Sequence, residues 1–246
     1  ERTIRSVGAL VSDLVVVDSG STDATVAIAE GLGARIFHRD WDGYGPQKRF
    51  SEECAEHDWI LNLDADEVLT PELCAEIEML FAEGEPELPA YRFRLLTVYP
   101  HHETPRPLAD YHNYVRVYDR RKVRFRESLV HDTVDTGDYP VGQLRGKALH
   151  FSFRSIQHFA EKFAGYTTLQ AREIRKPEWV LTLRQPIEYP AVFLRTYLLK
   201  SHWTGGWYGV RISHITARER MRRIGKIRNA QRQERAAASR ANGEPT

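Results

Sequence analysis

Cysteine is nearly absent: the 246 residues hold two thiols, Cys54 and Cys74. Both lie in stretches of helical spacing, which excludes a disulfide framework or a cysteine-rich zinc cluster and predicts a reducing, cytoplasmic setting. Long apolar runs are missing too. None approaches the roughly 20 residues of a membrane-spanning helix, and the first residues carry no signal-peptide pattern. No repeat recurs, and no aromatic-rich stacking platform or known motif supports nucleic-acid binding. What is present is an ordinary soluble composition, 41% hydrophobic and 28% charged, long enough for one large or two modest domains. The formal net charge of +1 hides an asymmetry. From Ala217 onward nine Lys/Arg stand against three Glu, a net of +6, so the body carries −5. A basic tail predicts an anionic partner.

The first half alternates strand and helix patterns. Leu14–Asp18 (LVVVD) has the continuous apolar character of a strand buried on both faces. Ser, Thr and Asp residues then lead into a helix with Val26, Ala29 and Leu32 on one side and Gly33 as its stop. Residues 34–38 read as a second strand. Pro46 suits the first turn of a helix running to about His57, and WILNLD (59–64) is a third strand. Thr70 and Pro71 cap and open the next helix. Short strand–helix alternation of this kind argues for a parallel, doubly wound sheet. After Pro89 the pattern changes to AYRFRLLTVY, a hairpin turning at Asp119-Arg120-Arg121, and the short strands SLVHDTV and GKALHF. From Ser155 it is helical and ends in a basic helix. The expected domains are 1–152 and 153–246.

Residues 59–68, WILNLDADEV, pose a chemical problem. An apolar strand runs into Asp64, Asp66 and Glu67, three carboxylates that repel one another, so a positive charge belongs there. In open α/β sheets ligands bind outside the carboxyl ends of strands. Asp18 and Asp64 therefore open onto one crevice, and the D-x-D spacing lets two carboxylates face one hard cation such as Mg²⁺ or Mn²⁺. The alternative is a solvated turn or a helix cap.

The company of this motif is specific. VVVDSGSTDAT, GYGPQKRF and LNLDADE, in that order and spacing, resemble the family 2 glycosyltransferases. Further along, VRVYDRRKVRF, LVHDTV, ALHFSFRS and LLKSHWTGGWYG resemble the lipopolysaccharide-core type of these enzymes. The resemblance implies a GT-A fold, that is, a Rossmann-like, mainly parallel sheet with flanking helices, followed by a helical C-terminal region. Members open with an apolar strand ending in Asn-Glu-Glu. This chain starts inside that motif, at Glu1-Arg2, so the first strand is expected to be missing.

The resemblance also implies an inverting transfer from a nucleoside-diphosphate sugar, most often a uridine one, to a saccharide or lipid-linked saccharide such as the lipopolysaccharide core. Asp18 would accept hydrogen bonds from base or ribose, or else cap its own turn. Ser19, Gly20 and Ser21 would let the backbone approach the nucleotide, and Asp23 is a ligand contact or a helix cap. Lys48, at a helix start, suits the nucleotide or its diphosphate; Gln47 and Arg49 are weaker candidates. Asp64 and Asp66 would hold the divalent ion, Asp66 more directly. Inversion needs one general base for the acceptor hydroxyl. Asp132 fills that role, with His131 orienting the acceptor or packing structurally; Asp135 and Glu127 are the alternatives.

Other features carry less. Adjacent His101 and His102 point to opposite faces of a strand, against a shared zinc. His150 and Arg154 contact acceptor or simply pack. Aromatics beside cations over residues 189–212 suit an anionic membrane surface, at the inner face of the cytoplasmic membrane, or else pack on the catalytic domain. Two other classes compete. Haloacid-dehalogenase-type phosphatases also use D-x-D, but on the first strand of the chain, and a non-catalytic nucleotide-binding relative would keep the fold without the reaction.

Overall fold

The computed structural model describes residues 1–128 and 133–241. The chain divides into two compact units, Glu1–Thr97 with Tyr111–Ser152 and Val98–Asp110 with Phe153–Thr246.

The first unit begins with α1 (Arg2–Val7), β1 (Val15–Asp18), α2 (Thr25–Gly31), β2 (Arg35–His38) and α3 (Tyr44–Cys54). β1 and β2 pair in parallel, as a strand–helix–strand crossover requires. Gly33, at φ +84°, follows the end of α2, where a left-handed residue is needed and glycine supplies it cheaply. α3 ends three residues short of His57. β3 (Trp59–Leu61) and β4 (Glu67–Leu69) flank the acidic motif, and α4 (Pro71–Leu80) follows with the Thr70 hydroxyl capping Leu73 N–H.

β5 (Ala90–Thr97), β6 (Tyr111–Asp119) and β9 (Val141–His150) complete a five-stranded sheet of order β3-β6-β5-β9-β4. The sheet is mixed: only β5–β9 is parallel within it. Leu73, Ile77, Phe93, Leu95, Val117 and Ala148 form its main core against α4. The turn at Asp119 forms as expected, with Lys122 and Val123 N–H donating to its carbonyl. The strand after it does not fold back on β6. β7 (Arg124–Phe125) pairs instead with β8 (Val134–Asp135), because both edges of β6 are already taken by β3 and β5.

β1 and β3 lie in separate sheets and do not pair. Glu56 N–H donates to Asp13 at one end (2.8 Å), while Gln47 reaches Ser19 and Lys48 reaches Asp64 at the other. A cavity of about 860 Å³ lies between them, lined by Val15, Val17, Leu61, Leu63 and Phe81. β1 is therefore half-buried rather than enclosed on both faces.

Asp13 ties these ends together. It takes two bonds from the Arg35 guanidinium at 2.8 Å, and that pairing holds its carboxyl below the usual range against the opposing effect of burial. A carboxyl depressed in the fold contributes stability above its unfolded pKa and loses it as pH falls through the folded one. Asp13→Ala should therefore cost about 1.5–3 kcal/mol near neutral pH. The cost should shrink steadily below about pH 4, as urea unfolding at several pH values would read directly.

In the second unit α5 (Ile156–Glu173), capped by Ser155, α6 (Glu178–Leu194) and α7 (Gly206–Ala241) pack around Ala171, Leu181, Ile224 and Ile227. A π turn (Arg195–Leu199) and a 3-10 turn (His202–Gly205) join α6 to α7. Residues 98–110 belong to this unit: Arg106 donates to the carbonyls of Lys200 and Ser201, and the Tyr99 hydroxyl meets His202 Nδ1 at 2.5 Å. Among the described residues no helix is long and apolar enough to cross a membrane.

Candidate active site

Residues 62–66 carry the chain from β3 at one edge of the sheet to β4 at the other. Because this connection crosses the sheet, its carboxylates meet side chains from strands far apart in sequence. Asp64 meets Arg116 of β6 (3.1 Å), and Asp66 meets His150 of β9 (3.5 Å). The positive charge that the three carboxylates call for is supplied by the protein itself.

Lys48, in the first turns of α3, bonds Asp64 Oδ1 and, at 2.8 Å, Asn62 Oδ1. Arg116 is buried beneath them and donates to Asn62 (3.3 Å), Asp64 (3.1 Å) and Glu67 (2.5 Å). Burial opposes the charge on Asp64, but Lys48 and Arg116 outweigh it and hold its carboxyl well below the usual range. Glu67 is raised, since it is buried more completely and lies beside Asp64. Burial also opposes the charge on His150, yet Asp66, Glu67 and Asp64 together raise its pKa.

Arg116 and Glu67 have side chains only 2% and 1% exposed. Removing one partner of such a pair leaves an uncompensated buried charge. Arg116→Met is expected to destabilise the chain by about 3–5 kcal/mol. Adding Glu67→Gln should recover part of that loss, which a denaturant titration of the three variants would measure.

The turn at Asp18–Ser21, expected to meet a nucleotide, is linked to the same cluster through Gln47 and Lys48. One oxygen of Asp18 accepts from Gly20 N–H (2.8 Å) and Ser21 N–H (2.9 Å), so Asp18 caps its own turn. Hydrogen bonds from Ser21 and then Gly20 keep its carboxyl low. Gly20 sits at φ +95°, a backbone state that glycine adopts without strain. Ser19 Oγ accepts from Gln47 (2.9 Å), which links this turn to α3 next to Lys48. Asp23 bonds Thr25 N–H (3.0 Å) at the start of α2, the capping alternative. Trp41 and Tyr44, edge to face at 4.8 Å and both exposed, line the same cavity mouth.

His131 and Asp132 lie outside the described residues; their flanks do not. Gly45 N–H donates to Ser128 O (2.8 Å), and a Cβ on Gly45 would lie 2.1 Å from Arg126 O. That position admits only glycine, and it fixes residues 126–128 against the N-terminus of α3. Arg126 N–H donates to Thr133 O (3.0 Å) on the other side of the segment. Of the alternative bases, Asp135 is committed to Gly137 N–H and Arg126, which depress its carboxyl. Glu127 is exposed, 3.9 Å from Arg49. In the second unit His102 Nδ1 donates to Pro100 O (3.0 Å), and Arg154 N–H donates to His158.

A hard cation fits the outer part of this arrangement. Both carboxylates, Asp64 and Asp66, are about a third exposed, but both Asp64 oxygens already carry cationic donors. Among the described residues no three potential ligand side chains converge. One or two carboxylates are what Mg²⁺ commonly takes from protein, completing its shell with water and phosphate oxygens.

The Asp18–Ser21 turn and the D-x-D connection are thus linked through Gln47 and Lys48 of α3. The family model for Glycosyl transferase family 2 matches residues 1–136, and the chain belongs to that family. It is therefore a glycosyltransferase, and the phosphatase reading of D-x-D falls away. An uncharacterized glycosyltransferase of Rickettsia felis is 35% identical over 239 residues, covering 93% of this chain and 84% of that protein. The lipopolysaccharide core biosynthesis glycosyltransferase LpsC of Rhizobium meliloti is 30% identical over 210 residues, 80% of this chain and 76% of LpsC. Among solved structures, S. aureus TarS 1–349 aligns over 95% of this chain and 87% of its own at a TM-score of 0.43 and 14% identity.

Two members of the cluster, Asn62 and Arg116, were not singled out from sequence. The available signal was Arg116 itself, a lone cation between Val115 and Val117 in a strand, read together with the unbalanced carboxylates.

Proposed function

We propose that this glycosyltransferase moves a sugar, with inversion, from a uridine-diphosphate-type donor to a saccharide acceptor of the lipopolysaccharide core or a related envelope glycan. The observation that carries this reading is the D-x-D connection held ionised and in place by Lys48 and Arg116 beside the Asp18–Ser21 turn. The acceptor class rests on the 30% identity to LpsC.

The Asp18–Ser21 turn binds base and ribose through Asp18 and through backbone exposed by Gly20. Lys48 and Arg116 fix Asp64, whose ionised carboxylate sets the local field, and Asp66 would hold the ion. A bound Mg²⁺ or Mn²⁺ supplies charge stabilisation to the departing diphosphate oxygen. The chain's own contribution is a field preorganised for a charge that develops only as the bond breaks. Asp132 takes the proton of the attacking hydroxyl, and His131 orients that group. A lipid-linked acceptor brings the chain to the inner face of the cytoplasmic membrane as a peripheral protein.

Incubating the protein with a panel of nucleotide sugars, and following nucleoside diphosphate release with and without divalent ion, tests this. Turnover of a uridine-linked donor that stops on chelation is the expected result. Failure to bind any sugar nucleotide ends the proposal, and turnover indifferent to chelation removes the metal from it.

A further inference from the structure

In the second unit α6 is built inside out. Its outer face carries Trp179, Leu183, Ile187 and Leu194, each more than half exposed, at the spacing of one helical stripe. Pro186, Pro190 and Ala191 fill the same exposed surface. Between Trp179 and Leu194 the only charged side chains are Arg184 and Glu188, and they pair with each other. Glu188 is buried at 5% exposure and pairs with Arg184 at 2.8 Å. The helix thus buries Glu188 and displays a stripe of hydrocarbon, the reverse of what water selects.

The stripe is about 22 Å long, from 15 residues at helical rise, and it does not stop at the helix end. Leu198 and Leu199 in the π turn continue it, Leu199 at 80% exposure, and Trp203 and Trp207 follow. Apolar patches of this extent on a soluble protein mark an interaction surface. Charge beside the patch points to its occupant. Arg195, Lys200 and Arg211 are exposed, and among the described residues none has a carboxylate within ion-pair distance. A partner that is apolar in bulk and negative at its surface satisfies both features, and tryptophans at the two ends of the stripe suit the boundary between hydrocarbon and headgroup.

We infer that the outer face of α6, with the turn from Leu198 to Trp207, lies in the interface of an anionic lipid bilayer as a non-spanning contact. The helix lies in the plane of the membrane, with its leucines in the upper acyl layer and Arg195, Lys200 and Arg211 at the headgroups. This deepens the peripheral location proposed above and extends it to α6, upstream of the basic tail. It rests on the second unit alone, so it stands or falls separately from the reaction.

Flotation of the intact chain with vesicles of phosphatidylcholine, alone or mixed with phosphatidylglycerol, reads the contact. The expected result is binding to the mixed vesicles with a blue shift of tryptophan emission. Leu183→Glu, Ile187→Glu and Leu194→Glu combined should weaken binding at least about 100-fold, since each apolar side chain kept in water forfeits roughly tenfold. Arg195→Gln, Lys200→Gln and Arg211→Gln combined should lose about fivefold per cation on anionic vesicles only. All six positions are exposed, and an unchanged melting temperature checks the fold. Donor turnover toward a soluble acceptor, measured in parallel, should be unaffected. Equal binding by wild type and the triple glutamate variant would overturn the inference. So would a dimer that those glutamates dissociate in the absence of lipid, because the stripe would then be covered by a second copy.

Discussion

Replacing Asp66 by Asn should reduce sugar transfer by about 10²–10³-fold or more while leaving the melting temperature unchanged, on the scale seen when one preorganised electrostatic group is removed. The two effects separate because of where Asp66 sits. Its side chain is partly exposed and lies 3.5 Å from His150. The path of the loop is held by backbone instead: Asp66 O accepts from Phe151 N–H at 2.9 Å, and Asp64 O accepts from Glu67 N–H at 3.0 Å. Asn preserves shape and those backbone bonds, and it removes the charge that a divalent ion and His150 would meet. Asp64→Asn is a different experiment. It strips the counter-charge from Lys48 and from buried Arg116, so activity and stability should fall together. Steady-state rates at several Mg²⁺ and Mn²⁺ concentrations, alongside thermal melts, distinguish the two. If Asp66→Asn turned over donor normally, the developing charge would have to be met elsewhere.

The contrast between these neighbours bears on what the sequence could reveal. Local signals translated well. Thr70-Pro71 opened α4, Ser155 capped α5 and Gly33 closed α2, because each acts within one turn of chain. Pairing depends on distant partners and was less legible. The hairpin expected at Asp119 had the right turn and the wrong mate, since the occupancy of both β6 edges is settled by β3 and β5. β4 is three residues long and exists through pairing with β9 some 80 residues later. The place of residues 98–110 with the second unit depends on Arg106 and Tyr99 reaching residues 200–204. In the site the acidic motif was plain, whereas Arg116 was hidden, because its role comes from a loop crossing the sheet above it.

Asp132→Asn should retain donor binding and lose transfer by about 10²–10⁴-fold, the usual weight of a positioned general base. The argument runs through its flanks. Residues 126–128 are locked to the N-terminus of α3 at Gly45, two and three positions from the Gln47 and Lys48 that hold Ser19 and Asp64. Thr133, the next residue after Asp132, is bonded back to Arg126. Both flanks of the segment that contains His131 and Asp132 are therefore tied near the start of α3, which carries Gln47 and Lys48. Asp135 is a poor substitute, because Gly137 and Arg126 stabilise its ionised form and so lower its basicity. Glu127 is exposed, and among the described residues its ion-pair partner is Arg49 at 3.9 Å. Donor affinity by calorimetry and single-turnover transfer on one sample would separate binding from chemistry. An Asn variant that binds donor and still transfers at the wild-type rate would move the base to Glu127, and Glu127→Gln would then show the loss instead.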